Sequence, residues 1–444
     1  MDAREVALLT LNACERQGGW SDGVLKKQIA AAGLDSRDAG LATQLCFGVI
    51  QNRILLDFYL SKFSNIPLKR LEGKVLQALR LGLYQMLFLT RIPHSAAVDQ
   101  SVALTRAHCK NPRAPGMVNA ILRNLERSLD RLPTIPEDDP AEYYATLYSH
   151  PVWLVRELLE TLGSEGTAAF LQADNSQPPI TAMVNTVKTD LEGALEALQA
   201  EGVHGEPHPW LKNCLVLSRS GSLEELEAFQ NGLFYVQDPA SRLAVMALDP
   251  EPGERVLDMC AAPGGKSFAA AIQMRDQGEI WSCDLHPHKK TLIQKGAQRL
   301  GLTCIRPQTA DGKVRRPEWE GAFDRVLVDA PCSGLGVIRK KPDIRFKDPE
   351  PLAGLPQVQS AILDNAAGYV KPGGVLVYST CTILERENRA VTDAFLAAHP
   401  EFRRESFLLP GPAGEVQGGQ ITLWPQVHGT DGFYICKLRK DGEA

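Results

Sequence analysis

The sequence predicts a multidomain protein with an all-α block over residues 1–130, a small α+β module within 131–230 and a doubly wound α/β domain over 231–444. Three observations carry this reading. Apolar residues recur at helical spacing through the first block. A Pro-rich, acidic stretch, Leu132-Pro133-Thr134-Ile135-Pro136-Glu137-Asp138-Asp139-Pro140, then punctuates the chain as a linker. From Gly253 onward, short apolar runs alternate with helical segments, as in an open parallel sheet covered on both faces.

In the first block, Leu71, Val75, Leu76, Leu79, Leu83, Met86 and Leu87 fall at helical spacing and predict one buried stripe. Ile92-Pro93-His94 breaks that helix, and Ser95 is placed to cap a second one over Ala96–Ala107. Asn111-Pro112-Arg113-Ala114-Pro115-Gly116 predicts a further turn, after which Val118, Ile121, Leu122 and Leu125 resume the period. In the module, Pro178–Asn185 reads as a strand and Leu191–Leu198 as a helix.

The α/β domain opens with a strand over Glu254–Met259, a turn with paired glycines, and a helix of small residues over Ser267–Ile272. Further strands are expected at Ile280–Asp284, at Phe323–Asp329, and at Val375–Thr380 after the turn Lys371-Pro372-Gly373-Gly374. Ile421–Trp424 and Phe433–Leu438 read as a closing antiparallel pair. The parallel strands end in Asp258, Asp284, Asp329 and Thr380, with Cys381 next in line. In such a sheet those ends share one rim, where ligands bind. Gly264 and Gly265 let a ligand approach the backbone there.

Composition narrows the class. No apolar run approaches the ~20 residues of a membrane span, and Met1-Asp2-Ala3-Arg4-Glu5 lacks the basic flank and apolar core of a signal peptide. A cytoplasmic protein without membrane contact is expected. The 10 cysteines form no Cys-x-x-Cys pair, so neither a metal site nor a disulfide framework is expected. The net charge of −5 hides an asymmetry: residues 1–130 hold 17 Lys+Arg against 11 Asp+Glu, and residues 131–230 hold 5 against 16. The basic first block permits contact with a polyanion. Arg106, Lys110, Arg113, Arg123 and Arg127 form either a phosphate-contacting face or ordinary solvated helix faces.

Particular wording sharpens these readings. Cys260-Ala261-Ala262-Pro263-Gly264-Gly265-Lys266, after an apolar strand, resembles the S-adenosylmethionine loop of the Nop/Sun family of RNA cytosine-5 methyltransferases. Asp329-Ala330-Pro331-Cys332 and Ser379-Thr380-Cys381-Thr382 are similar to that family's Pro-Cys and Thr-Cys motifs. Ser36-Arg37-Asp38, Leu45-Cys46-Phe47-Gly48-Val49, Ile92-Pro93-His94-Ser95 and Val118–Asn124 resemble the NusB-like RNA-binding domain fused ahead of the catalytic domain in the RsmB (Sun) branch.

The resemblance implies a Rossmann-like S-adenosylmethionine methyltransferase domain acting on small-subunit ribosomal RNA. Cys381 is then the nucleophile that adds to cytosine C6, and Cys332 assists product release. Asp329 would bond the N3/N4 edge of the base, and Lys266 would position the base or its phosphate. Cys260 to Lys266, Asp284, Asp311 and Asp329 would line the cofactor site, with Asp284 on the ribose hydroxyls and Asp311 beside the adenine. The remaining eight cysteines are expected as buried small hydrophobes. Arg339-Lys340-Lys341-Pro342-Asp343-Ile344-Arg345 would give RNA phosphates a basic lip, and Glu385-Arg386-Glu387-Asn388 matches the family's Glu-Asn element.

The chain departs from the family pattern in Met183 for Arg, Arg242 for Gln and Thr382 for Ser. The first weakens any phosphate grip by the strand at 178–185. Transfer-RNA methylation and a non-catalytic assembly factor remain as rivals. DNA is disfavoured as a partner, because DNA cytosine-5 enzymes attack with the Pro-Cys cysteine and need no second one. A monomer is expected.

Overall fold

The computed structural model describes residues 1–17, 20–218 and 221–442. They form two compact units: Met1–Ser176 with Ile338–Lys347, and Gln177–Val337 with Asp348–Ala444.

The first unit is helical. Its centre is the helix Gly73–Phe88, against which Ala3–Gln17, Ser36–Gln51, Arg53–Phe63, His94–His108 and Ala114–Glu126 pack. The expected single stripe on this central helix is corrected. Every residue from Val75 to Met86 is buried, because neighbours surround the helix on all sides. Gly82 admits the side chains of Leu122 and Ser101 where a Cβ would stand. The buried Arg80 of this helix is held by Asp57 at 2.7 Å and Glu15 at 3.2 Å. The helix expected from Ala96 starts earlier, at His94, with Pro93 at its N-cap and no side-chain cap from Ser95. Proline has no N–H to lose at such a start, so the Ile92-Pro93 break already suffices.

The basic lip is also corrected. The segment Ile338–Lys347 belongs to the helical unit. Arg345 there is 1% exposed and donates to Gln51 O (2.6 Å), Ser149 O (3.0 Å) and Asn175 Oδ1 (3.0 Å). Lys340 and Lys341 are the two cations of that run that are exposed. On the proposed phosphate face, Arg106, Lys110, Arg113 and Arg127 are exposed, while Arg123 is engaged by Asp99 and Glu126.

The second unit begins with an antiparallel sheet of β1 (Ile180–Val184), β2 (His204–Pro207), β3 (Cys214–Ser218) and β4 (Phe234–Val236), in the order β2-β3-β1-β4. The helix Leu191–Ala200 packs Ala194 and Leu198 onto it. Asp190 caps that helix by accepting from Gly193 N at 2.9 Å. Met183 lies in the core, and Arg242 bonds Ala269 O and Gln273 Oε1 at the end of a neighbouring helix. Neither family departure leaves a free guanidinium on β1.

The large sheet contains β5 (Arg255–Asp258), β6 (Glu279–Asp284), β7 (Ile305–Thr309), β8 (Phe323–Asp329), β9 (Val370–Thr380) and β10 (Phe402–Arg404). After them, β11 (Phe407–Leu408) and β12 (Glu415–Val416) pair separately, and β13 (Gln420–Leu423) and β14 (Phe433–Lys440) rejoin the sheet. Its order is β10-β14-β9-β8-β5-β6-β7, with β13 on β14. Strands β5 to β9 pair in parallel, whereas β14 runs antiparallel to β9 with Tyr434 opposite Thr380. The chain leaves β5 towards β7 and returns on the other side at β8, so the topological switch lies between β5 and β8.

Val326, Leu327 and Val328 of β8 are buried on both faces. Each such side chain contributes roughly 1.5–3 kcal/mol, which fixes the strand that carries Asp329. The expected turn Lys371–Gly374 is taken into β9 as a register irregularity, with Phe323 opposite Val370 and Arg325 opposite Val375.

Candidate active site

The turn after β5 is built for close approach. Gly264 has φ +114, which leaves the ring of Phe268 room against its backbone. Ala261 N donates to Cys283 O (2.8 Å), and Ala262 N donates to Asp284 Oδ2 (3.2 Å), tying the loop to the end of β6. The helix Gly265–Gln273 follows directly, with Gly264 at its N-cap and no side chain capping it, so its first N–H groups have no intrahelical partners. Asp258 is 1% exposed. Its Oδ2 accepts from Ser267 Oγ at 2.7 Å, and its Oδ1 has no hydrogen-bond partner among the described residues. Burial pushes this carboxyl up to about 7, opposed by Ser267 and reinforced by Asp329. An orphaned buried acceptor beneath a glycine turn suits a ligand that brings an ammonium or N–H donor.

On the other side of the switch, Lys266 Nζ donates to Asp329 Oδ2 at 2.6 Å and to Ser241 Oγ at 3.4 Å. Ser379 Oγ donates to Asp329 Oδ1 at 2.9 Å. Burial opposes the charge on Lys266, but the Asp329 carboxylate more than offsets it and raises the ammonium above its ordinary range.

The sulfurs of Cys332 and Cys381 lie 3.3 Å apart. The hydrogen bond from Cys332 lowers the Cys381 thiol below its usual range, burial and Asp329 opposing and Lys266 assisting. The same bond, with burial, raises Cys332 well above it. The pair thus holds one sulfur as the better thiolate and the other as its donor. Cys381 should therefore be alkylated by iodoacetamide at lower pH than an ordinary thiol. Cys332→Ala should move the rate–pH profile of Cys381 upward, as read by mass spectrometry; an unmoved profile would assign the lowering to Lys266 instead.

The two cysteine turns are held by neighbouring residues. Glu387, fully buried, accepts from Ser333 N and Gln359 Nε2, both at 2.9 Å, while Asn388 Nδ2 donates to Thr382 O at 2.9 Å. The Glu-Asn pair therefore braces one turn with each side chain. Thr382, where Ser is usual, keeps a hydroxyl contact of 2.7 Å with Ser333 Oγ.

The structure brings together Lys266, Asp329, Cys332 and Cys381, and places Cys260 to Gly265 and Asp284 at the adjoining loop. Asp311 lies apart from this network, its Oδ1 accepting from Lys313 N at 2.9 Å in its own turn. Cys260 is half-buried, and burial raises its thiol well above the usual range. Of the other cysteines, Cys46, Cys214, Cys283, Cys304 and Cys436 are buried, but Cys14 and Cys109 are only half-buried, a correction to the uniform expectation.

Sequence reasoning missed Ser241, Gln359, Phe433, Gly336 and Gly432. The Lys266 ammonium lies 5.2 Å from the Phe433 ring centroid. Gly336 N donates to Cys381 O (2.9 Å), and Gly432 N donates to Gly336 O (2.8 Å). The Ser-Gly-Leu-Gly spacing after Cys332 was the available signal for Gly336. Gln359, inside a helix, offered none.

Among the described residues no cluster of His, Cys, Asp or Glu has metal-holding geometry, and no helix is long and apolar enough to cross a membrane.

Comparison with known proteins gives three family matches along the chain. Residues 1–127 match the NusB family, residues 150–224 the ferredoxin-like domain of RsmF/B-like methyltransferases, and residues 245–439 the 16S rRNA methyltransferase RsmB/F family. The probable ribosomal RNA small subunit methyltransferase B of Bacillus subtilis is 40% identical over 99% of both chains. The ribosomal RNA small subunit methyltransferase B of Vibrio cholerae is 35% identical over 91% of this chain and 90% of its own. The crystal structure of PH0851 covers 99% of both chains with a TM-score of 0.80 at 26% identity. With its helical, ferredoxin-like and catalytic parts matched in that order, the chain belongs to the RsmB/F family of methyltransferases.

Proposed function

We propose that this enzyme methylates C5 of one cytosine in small-subunit ribosomal RNA, in the cytoplasm, through a covalent bond between Cys381 and C6 of the base. The observation that carries the reading is the 3.3 Å sulfur pair beside Lys266 and Asp329. A direct one-step transfer needs neither thiol, whereas covalent activation of C5 needs one to attack and a second group to end the cycle.

S-adenosylmethionine fits the crevice and, when bound, supplies the electrophilic methyl group. Asp258 Oδ1 would take its ammonium, Asp284 its ribose hydroxyls, and the loop Cys260–Gly265 its backbone contacts, with Asp311 at the adenine. Cys381 adds as thiolate to C6, and its electron pair displaces the ring double bond so that C5 becomes nucleophilic. Asp329 and Lys266 hold the N3/N4 edge, where charge develops. Once Cys381 is bonded to C6 it no longer accepts from Cys332, which gives up its S–H proton to solvent and, as thiolate, removes the C5 proton after C5 carries the methyl group. The C5–H electrons re-form the double bond, and the Cys381 sulfur leaves.

Residues 1–130 act in this reading as an RNA-binding domain, 131–230 as a linker and small RNA-holding module, and 231–444 as the catalytic domain, in a monomer. The experiment is transfer of labelled methyl from S-adenosylmethionine to undermodified total RNA, followed by mapping of the label. One labelled cytosine in the small-subunit RNA is the expected result, and label in transfer RNA would sink the assignment. Asp284→Ala should lose the label while RNA binding persists.

A further inference from the structure

The helical unit contains a cavity of about 390 Å³ that the methyl-transfer reading does not use. Arg53 lies on its wall, half-buried, with its guanidinium carbon 3.3 Å from the centroid of the Phe346 ring. Its side chain makes no hydrogen bond among the described residues. Burial, with Arg80 adding like charge, brings this guanidinium down to about 10. Gln77 is 2% exposed; its Nε2 donates to Glu15, while its Oε1 is buried with no partner. Asp343 accepts from Ser21 Oγ through one oxygen only. Trp20 is 51% exposed and also lines the cavity.

Each of these features is costly or idle without an occupant. A half-buried guanidinium carries five N–H donors and wants acceptors. A buried amide oxygen without a donor forfeits roughly 1–3 kcal/mol. A phosphate alone fits poorly, because Glu15 and Asp343 share the wall and would repel it. A guanine fits both sets at once. Its O6 and N7 accept from an arginine fork, and its N1–H and N2–H groups are donors for an amide oxygen and a carboxylate. Its ring stacks on an arginine plane or an indole, as splayed RNA bases do. Adenine puts an amino donor where guanine has O6, against the guanidinium.

We propose that this pocket of the helical unit binds one guanine splayed out of single-stranded RNA, with Arg53 reading its O6/N7 edge. The proposal rests on the reading of the protein as an RNA enzyme, and its test separates the two. Full-length protein is titrated with oligocytidylate strands carrying one guanine, one adenine or neither, at two salt concentrations. The guanine strand should bind about 5- to 100-fold more tightly than the adenine strand, the range expected of a bidentate arginine–guanine pair.

Arg53→Lys keeps the charge but not the fork. It should abolish that ratio while leaving the salt dependence unchanged, and Trp20→Ala should weaken the guanine strand selectively. Should Arg53→Lys fail to fold, the wild-type guanine/adenine ratio and Trp20→Ala still decide. A wild-type guanine/adenine ratio within twofold, or a ratio unchanged in Arg53→Lys, overturns the proposal. So does an equal loss for all strands in Arg53→Lys, which would make Arg53 a phosphate contact. Wild-type protein that binds none of the strands and methylates no RNA overturns the functional reading instead.

Discussion

Cys332→Ala protein is expected to hold RNA covalently through Cys381, as a species that survives denaturing electrophoresis and forms only with S-adenosylmethionine present. In the proposed mechanism attack and methyl transfer use Cys381, the sulfur kept below its ordinary range by its neighbour. Cys332→Ala removes the sulfur 3.3 Å from Cys381 that takes the C5 proton in that mechanism, so elimination should stall. Cys381→Ala should form no adduct and lose on the order of 10⁴-fold or more in turnover, as nucleophile deletions do. The two effects pull against each other in Cys332→Ala, since loss of the sulfur donor also raises Cys381; working at high pH removes that complication. The reverse pattern, RNA held by Cys381→Ala and none by Cys332→Ala, would exchange the two roles.

Gly336→Ala should be the most damaging change outside the chemical groups. A Cβ at Gly336 would fall inside the contact radius of the Gly432 carbonyl oxygen, and both partners there are backbone. One of two turns must move: that leading from Cys332, or that leading into β14. The Gly336 N–H that satisfies Cys381 O would move with the first. Overpacking of this kind costs about 1–3 kcal/mol, and a displacement near 1 Å at a reacting sulfur costs about 10²-fold in rate. The expected variant binds S-adenosylmethionine normally, melts a few degrees lower and turns over about a hundredfold more slowly. A kcat within twofold of wild type would show that the turns move apart without disturbing Cys381.

Much of the architecture was legible because period and punctuation agree with the fold. The linker read at 132–140 ends where Asp139 caps the helix that Pro140 opens. The strand ends Asp258, Asp284 and Asp329 were readable because a parallel sheet puts its polar termini on one rim. What failed depends on packing between distant segments. Six apolar positions on Gly73–Phe88 announce a stripe, yet Gln77, Arg80 and Gln85 are buried too, each answered by partners far away in sequence. A cluster of cations likewise announces a solvated lip at 339–345, and nothing local reveals that carbonyls at Gln51 and Ser149 await Arg345. The sulfur pair was visible as two motifs, but its spacing and its division into donor and thiolate were not.

The membership of Ile338–Lys347 in the helical unit bears on the order in which the chain is made. Gln51, Ser149 and Asn175 are complete early in synthesis, but the guanidinium they accept arrives only with Arg345. At roughly 5–20 residues per second, the 171 residues between Ser176 and Lys347 take on the order of ten to thirty seconds to emerge. Through that interval the first unit lacks the segment that carries Arg345. A gene cut after residue 176 would yield a unit permanently in that state, and one begun at 177 would carry a guanidinium shaped for acceptors it never meets. Dividing the chain after Ser176 would therefore separate Arg345 from the acceptors it bonds.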